Sequence, residues 1–323
     1  MNTIGTKVVN NKCMTLLLLL GLFALCTFAQ YDEQLALDLV PVCALAYCHK
    51  EHILANECKD ATRMTKKAGF VVIDALDNSD DVHPITVTLL KRDAEKQIIV
   101  AFSGTKNEMT LLAQALQIGP VNYGIHSIKG AKVSKFFYEK YRDQFKAFLN
   151  DKLTALCTEL SGYDLYFTGH SLGGALATHA AADTLISGTA GNRKTFLYSY
   201  GSPRVGNIEF INGWNAGLDG SFRIVHNQDI VPHLPTCFPT VFGGCATGGI
   251  FPYYPYHNAQ EIYYKDFNKA YVACSMSGED QNCSNGNLSN LSTSDHSSYF
   301  NLPIANLCNT DDHLTSVMDF LKN

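Results

Sequence analysis

Short apolar runs recur along the chain with charged or turn-forming residues between them. Ile85–Leu90 and Gln97–Phe102 flank the charged turn KRDAEK, and further runs lie at Asp164–Thr168, Thr195–Tyr200, Phe222–His226 and Glu261–Tyr264. Their length and their β-branched and aromatic content predict strands. Between them the apolar spacing changes. Leu35–Tyr47 reads as a helix, and Lys132–Leu160 carries Val133, Phe136, Phe137, Phe145, Phe148, Leu149, Leu153, Leu156 and Leu160 at helical intervals. Strands alternating with helices predict an α/β domain with a central, mostly parallel sheet flanked by helices.

The first residues break this pattern. Lys7 and Lys12 precede CMTLLLLLGLFALCTFA, which ends in small residues at Thr27 and Ala29. A basic start, an apolar run and a small-residue site describe a secretory signal peptide over residues 1–29, cleaved after Ala29. An uncleaved anchor is the rival reading, because the run is near the lower limit of about 17 residues for a membrane span. No other stretch is apolar enough to cross a bilayer, and no linker divides residues 30–323, so they are read as a single domain of an exported protein. Three sequons, at Asn282, Asn287 and Asn290, fall in one Ser/Asn-rich segment and agree with secretion and glycosylation.

Composition then excludes several classes. A hydrophobic content of 46% and a charged content of 17% suit a globular core. The net charge of -5, of mixed sign along the chain, leaves no basic stripe for nucleic acid. Eleven cysteines, less Cys13 and Cys26 in the leader, leave nine, an odd number that implies disulfides and at least one unpaired thiol. The Tyr47–His52 segment YCHKEH holds metal-ligand types, but in an exported, cysteine-bearing segment it is read as structural rather than as a zinc site.

One turn carries chemistry. In YFTGHSLGGALA (Tyr166–Ala177) a serine, Ser171, stands between glycines where a strand gives way to an alanine-rich helix. Such a reversal needs a sharp backbone turn, and residues without bulk let the helix lie close to the sheet with its positive end toward the serine. A serine hydroxyl becomes nucleophilic when a base takes its proton, and that base needs an orienting carboxylate. In this setting the chain order is Ser, then Asp or Glu, then His. Asp229 follows a strand in FRIVHNQDIVPHLP and would emerge at the sheet's end. Asp183 lies in the helix behind the serine, while Asp219 and Asp266 lack that context. His233, His257, His296 and His313 all follow, and position alone does not choose among them.

These segments resemble the class 3, or fungal-type, lipases over nearly all of residues 30–323. The resemblance rests on VAFSGT (Val100–Thr105), YFTGHSLGGALA, YGSPRVGN (Tyr200–Asn207), RIVHNQDIVPHLP (Arg223–Pro235) and DHSSYF (Asp295–Phe300), in that order. It implies an α/β-hydrolase in which Ser171 is the nucleophile, Asp229 the orienting acid and His296 the base. His257 is the alternative base, and His170 is a structural neighbour of the serine. The backbone N–H groups of Leu172 and Thr105 would form the oxyanion hole. Ser103 departs from the family, which commonly has Arg there, and this puts the support of the Thr105 loop in question.

The resemblance implies further that the apolar face of Met109, Leu112, Ala113 and Leu116 belongs to a lid over the site, although the family's frequent lid tryptophan is absent. It implies disulfides Cys274–Cys283 and Cys48–Cys308. Cys237–Cys245 is a local reading from proximity in sequence. Cys43 and Cys58 can also pair, leaving Cys157 as the odd thiol. The expected activity is triacylglycerol lipase-type ester hydrolysis with no metal or organic cofactor, on a lipid or other ester at a lipid–water interface. Phospholipase A1 and feruloyl-type esterase are the enzymatic alternatives, and a lipid-binding protein on the same fold is the non-enzymatic one.

Overall fold

Eight strands form the main sheet, in which spatial order follows chain order. They are β1 (Val71–Asp77), β2 (Thr86–Arg92), β3 (Gln97–Phe102), β4 (Asp164–His170), β5 (Thr195–Tyr200), β6 (Gly220–His226), β7 (Glu261–Tyr264) and β8 (Val272–Ala273). Pairing is parallel from β3 through β7. The edges are antiparallel, made by the β1–β2–β3 meander and by β8. The structure, a computed structural model, describes residues 29–78, 85–105, 119–240, 245–251 and 253–307, and nearer the start of the chain two short strands. Those two, Met14–Leu18 and Gly21–Leu25, form a hairpin separate from the main sheet. The rest of the leader lies outside the described residues, and among the described residues no helix is long and apolar enough to cross a membrane.

The sheet is covered on both faces because its strands are apolar on both. In β3, Ile98, Val100 and Phe102 join one core, while Ile99 and Ala101 join the other. In β4, Leu165 and Phe167 point to the first and Tyr166 to the second. This period-two division is what a pleated strand imposes, and each fully buried large side chain contributes roughly 1.5–3 kcal/mol. The first core receives the elbow helix, Leu172–Ser187, and the helical stretch that ends at Glu159. The second receives the helix Glu33–Ala46, whose N-cap Asp32 accepts the Leu35 N–H.

One sequence expectation changes, and one strand lies where none was expected. Lys132–Leu160 is not helical throughout: Lys132–Ser134 is a strand paired with Pro120–Asn122. Helix follows from Lys135, interrupted by one π turn at Tyr141–Phe145. A π turn holds an extra residue, and here Tyr141 Oη and Lys146 Nζ both reach the buried Asp183 carboxylate, at 2.7 and 2.5 Å. Strand β1 had no clear signal, because it lies at the sheet edge and a bulge between Val72 and Asp74 breaks its alternation.

Candidate active site

Strand β4 ends at His170 and the elbow helix starts at Leu172, so one residue makes the whole reversal. Ser171 does so at φ 57° and ψ −126°, a conformation that costs an L-residue on the order of 1–3 kcal/mol. Its N–H donates to the Tyr200 carbonyl at 2.9 Å, and its own carbonyl accepts from Gly174 N–H at 3.0 Å. The glycines around it are required by close approach. A Cβ on Gly169 would lie 2.3 Å from the carbonyl carbon of Gly173, and one on Gly173 would lie 2.3 Å from the Phe102 carbonyl oxygen. The helix therefore seats backbone against backbone with its N-terminus at Ser171, where the macrodipole favours negative charge.

Strand β6 delivers Asp229 to the same carboxyl-terminal edge of the parallel strands. Asp229 is fully buried. Its Oδ1 accepts from Val231 N–H at 2.8 Å, and its Oδ2 accepts from His296 Nδ1 at 2.8 Å and from Tyr299 Oη at 2.5 Å. The segment bearing His296 is docked on the Asp229 turn by backbone. Ile230 N–H donates to the Ser292 carbonyl, and Ser292 N–H donates to the Gln228 carbonyl. Asp295 adds side-chain support by accepting from Asn227 Nδ2 at 2.9 Å and Gln228 N–H at 3.2 Å.

His170 links the serine turn to that segment. Its Nε2 donates to the His296 carbonyl at 2.8 Å, and its Nδ1 is hydrogen-bonded to Tyr47 Oη, also at 2.8 Å. Its ring also stacks on that of His296, with centroids 4.6 Å apart. The expected structural role of His170 thus has a definite form, whereas the sequence reading gives neither Tyr299 nor Tyr47 a role at the site. The signal for Tyr299 was its place three residues after His296.

The oxyanion candidates Leu172 and Thr105 are buried at this edge, Leu172 opening the elbow helix and Thr105 closing the loop after β3. Ser103 takes up the support in question there: its Oγ accepts from Thr86 N–H at 2.9 Å and its N–H donates to the Thr86 carbonyl at 2.9 Å. A short hydroxyl thus ties the loop to β2.

The remaining histidines go elsewhere. His257 Nε2 bonds the Pro232 carbonyl at 2.7 Å, and burial, with Arg223 and Arg204 nearby, pushes its pKa well down. His233 is buried with neither ring nitrogen partnered among the described residues. His313 and the lid residues Met109, Leu112, Ala113 and Leu116 lie outside the described residues. His49, Glu51 and Asp77 come together in the YCHKEH region, but both Asp77 oxygens accept from Lys50 N–H and one also accepts from the Thr86 hydroxyl.

Disulfides join Cys237 to Cys245 and Cys274 to Cys283. Cys48 is disulfide-bonded, and Cys308 lies outside the described residues. Cys43 and Cys58 are not paired: both are free buried thiols, and Cys157 is a third free one. Burial pushes Cys43 up to about 12 while its sulfur contacts Thr168 Oγ1 at 3.3 Å, so it behaves as a core residue.

A mostly parallel sheet with helices on both faces, a serine at a strand-to-helix elbow and a carboxylate–histidine pair at the same edge define an α/β-hydrolase of the serine type. The comparisons narrow the class. The profile of the Lipase (class 3) family matches residues 99–238. A lipase of Caenorhabditis elegans is 30% identical over 299 residues, 85% of this chain and 81% of that one. A lipase of Rhizomucor miehei is 31% identical over 227 residues, 68% of this chain and 56% of that one, so the chain spans little more than half of that relative. A solved structure described as a triacylglycerol lipase whose catalytic centre is a serine protease triad superposes with a TM-score of 0.70 at 26% identity, over 86% of this chain and 98% of that one. The chain belongs to the class 3 lipases and is a carboxylic ester hydrolase.

Proposed function

We propose that residues 30–323 act as one secreted lipase of triacylglycerol type, with Ser171, His296 and Asp229 as its catalytic triad. The observation that carries this reading is the 2.8 Å bond from His296 Nδ1 to a buried carboxylate, beside a serine held at positive φ. With Nδ1–H directed at Asp229, Nε2 is the nitrogen that takes the Ser171 proton as Oγ attacks the ester carbonyl. The developing oxyanion is held by Leu172 and Thr105 N–H, donors worth about 3–4 kcal/mol each where one has been removed from other serine hydrolases. His296 then protonates the departing alkoxide, and an acyl-enzyme ester remains on Ser171. Water, deprotonated by His296, releases the acid and restores the serine.

The leader and the sequon cluster support export. The segment KNEMTLLAQALQIGP, which follows Thr105 in the chain, is proposed as the lid. No step calls for a metal or organic cofactor.

Hydrolysis of triolein, phosphatidylcholine and a soluble short-chain ester by the secreted protein and its Ser171→Ala variant tests the reading. Turnover by the wild type alone, fastest on triolein, is expected. Phosphatidylcholine as the preferred substrate points instead to phospholipase A1. A wild type that neither turns over any ester nor reacts with a phosphonate ester is a lipid-binding protein on this fold.

A further inference from the structure

Tyr47 caps the end of the helix Glu33–Ala46, 123 residues before His170, and is buried. Two parts of the proposed catalytic apparatus meet its Oη. One is His170 Nδ1 at 2.8 Å, on the ring whose Nε2 holds the His296 carbonyl and whose face stacks on the His296 imidazole. The other is the loop after β3. A Cβ on Gly104 would lie 2.1 Å from Tyr47 Oη and 3.0 Å from the His170 carbonyl oxygen. Gly104 stands between Ser103 and Thr105, so the loop residue that faces the phenol is the one without a side chain. The next residue in the chain adds a second tie, because the Cys48 carbonyl accepts from Thr86 Oγ1 at 3.2 Å and Thr86 N–H donates to Ser103 Oγ.

The base and the oxyanion loop come from segments far apart in the chain, yet reacting groups must be held to within about 0.5 Å of their productive positions. A planar phenol fixed at its tip by a hydrogen bond sets both at once. Filling the core does not account for that hydroxyl: phenylalanine would occupy the same space, and burying an O–H costs free energy unless it is bonded. We propose that Tyr47 is a positioning residue whose hydroxyl is the common stop for His296 and the Thr105 loop, and so sets the distance between the base and the oxyanion donors. It acts through His170 and Gly104 and not on the reacting atoms. This rests on the roles proposed above for Ser171, His296 and Thr105.

Tyr47→Phe keeps the ring and removes the hydroxyl. On a soluble short-chain ester its kcat should fall about tenfold with KM within about twofold, a smaller loss than the ~100-fold of a 1 Å displacement of reacting groups. An alkylboronic acid reads the transition-state geometry separately. Ser171 Oγ adds to boron, the Ser171 proton passes to His296, and a boron-bound hydroxyl takes the oxyanion position. Boronate affinity should fall by the same factor as kcat, whereas a residue that only stabilises the fold would lower the melting temperature and move neither. Gly104→Ala supplies a second arm. Its methyl meets Tyr47 Oη, and it should cost about a hundredfold in kcat in the wild type but less than about tenfold in the Tyr47→Phe background, a non-additive pair.

A folded Tyr47→Phe protein with wild-type kcat and boronate affinity overturns the positioning role, and so does a Gly104→Ala loss of equal size in both backgrounds. Should Tyr47→Phe not fold, Gly104→Ala alone decides: kcat and boronate affinity must fall together, and wild-type values for both overturn the proposal. An active wild type beside an unimpaired Tyr47→Phe leaves the triad reading intact. A wild type that neither turns over any ester nor binds the boronate overturns the triad reading and the positioning role with it.

Discussion

Tyr299 donates to Asp229 Oδ2 at 2.5 Å, on the same oxygen that accepts from His296 Nδ1. Counting Val231 N–H, the fully buried carboxylate takes three donors. Hydrogen bonds to a charged group contribute about 1.5–3 kcal/mol each. Tyr299→Phe should therefore lower kcat about tenfold with little change in KM, because the lost donor orients Asp229 and does not meet substrate. Wild-type kcat in a folded Tyr299→Phe protein would show that the bond has no positioning role.

Gly201 lies under the same pair. A Cβ there would sit 2.6 Å from Asp229 Oδ2 and 2.8 Å from His296 Nδ1, at a backbone φ of +57°. Gly201→Ala should cost about a hundredfold in kcat/KM, the scale of a 1 Å displacement of reacting groups. Retained activity in steady-state assays would mean that the pair can shift without penalty.

Ser171 is a source of strain as well as the proposed nucleophile. Both Ser171→Ala and Ser171→Gly should be inactive, but at φ 57° the glycine variant should be the more stable by about 1 kcal/mol. Denaturant midpoints of the two variants decide this. An alanine variant as stable as the glycine one would place the cost elsewhere.

His179 lies between the rings of Tyr123 and Tyr141, with neither nitrogen bonded among the described residues. Burial pushes its pKa down to about 3, and the nearby Asp183 offsets this only in part. The unfolded chain, with an ordinary value near 6.5, binds a proton that the folded chain refuses. Stability therefore falls as pH drops from about 6.5 toward 3, by about 2 kcal/mol at pH 5 from this group. His179→Phe should remove that part of the acid sensitivity, so wild-type and variant melting temperatures should diverge as pH is lowered. Parallel curves would rule out His179 as a source of acid sensitivity.

The reach of sequence reading follows the range of each signal. Strands β3, β5 and β7 stand at the predicted residues because apolar runs and the turns that bound them are local properties. Ser171 was legible for the same reason: the residues that build its turn are its neighbours, and Gly169 and Gly173 meet each other across it. Asp229 needed only the end of one strand. His296 was one of four histidines until the family resemblance singled out its segment, because its partner lies 67 residues away.

What the sequence determined by itself was the α/β alternation, the serine elbow and the strand-end carboxylate, each written in adjacent residues. Only the tertiary structure decided that Tyr299 shares the Asp229 oxygen that His296 bonds, that His170 bridges Tyr47 to the His296 carbonyl, and that Cys43 and Cys58 stay apart. These pairings join chain segments that the sheet order brings to one edge. Side-chain periodicity records which face a residue occupies, and the pairing of distant residues on that face arises only once the strands are aligned.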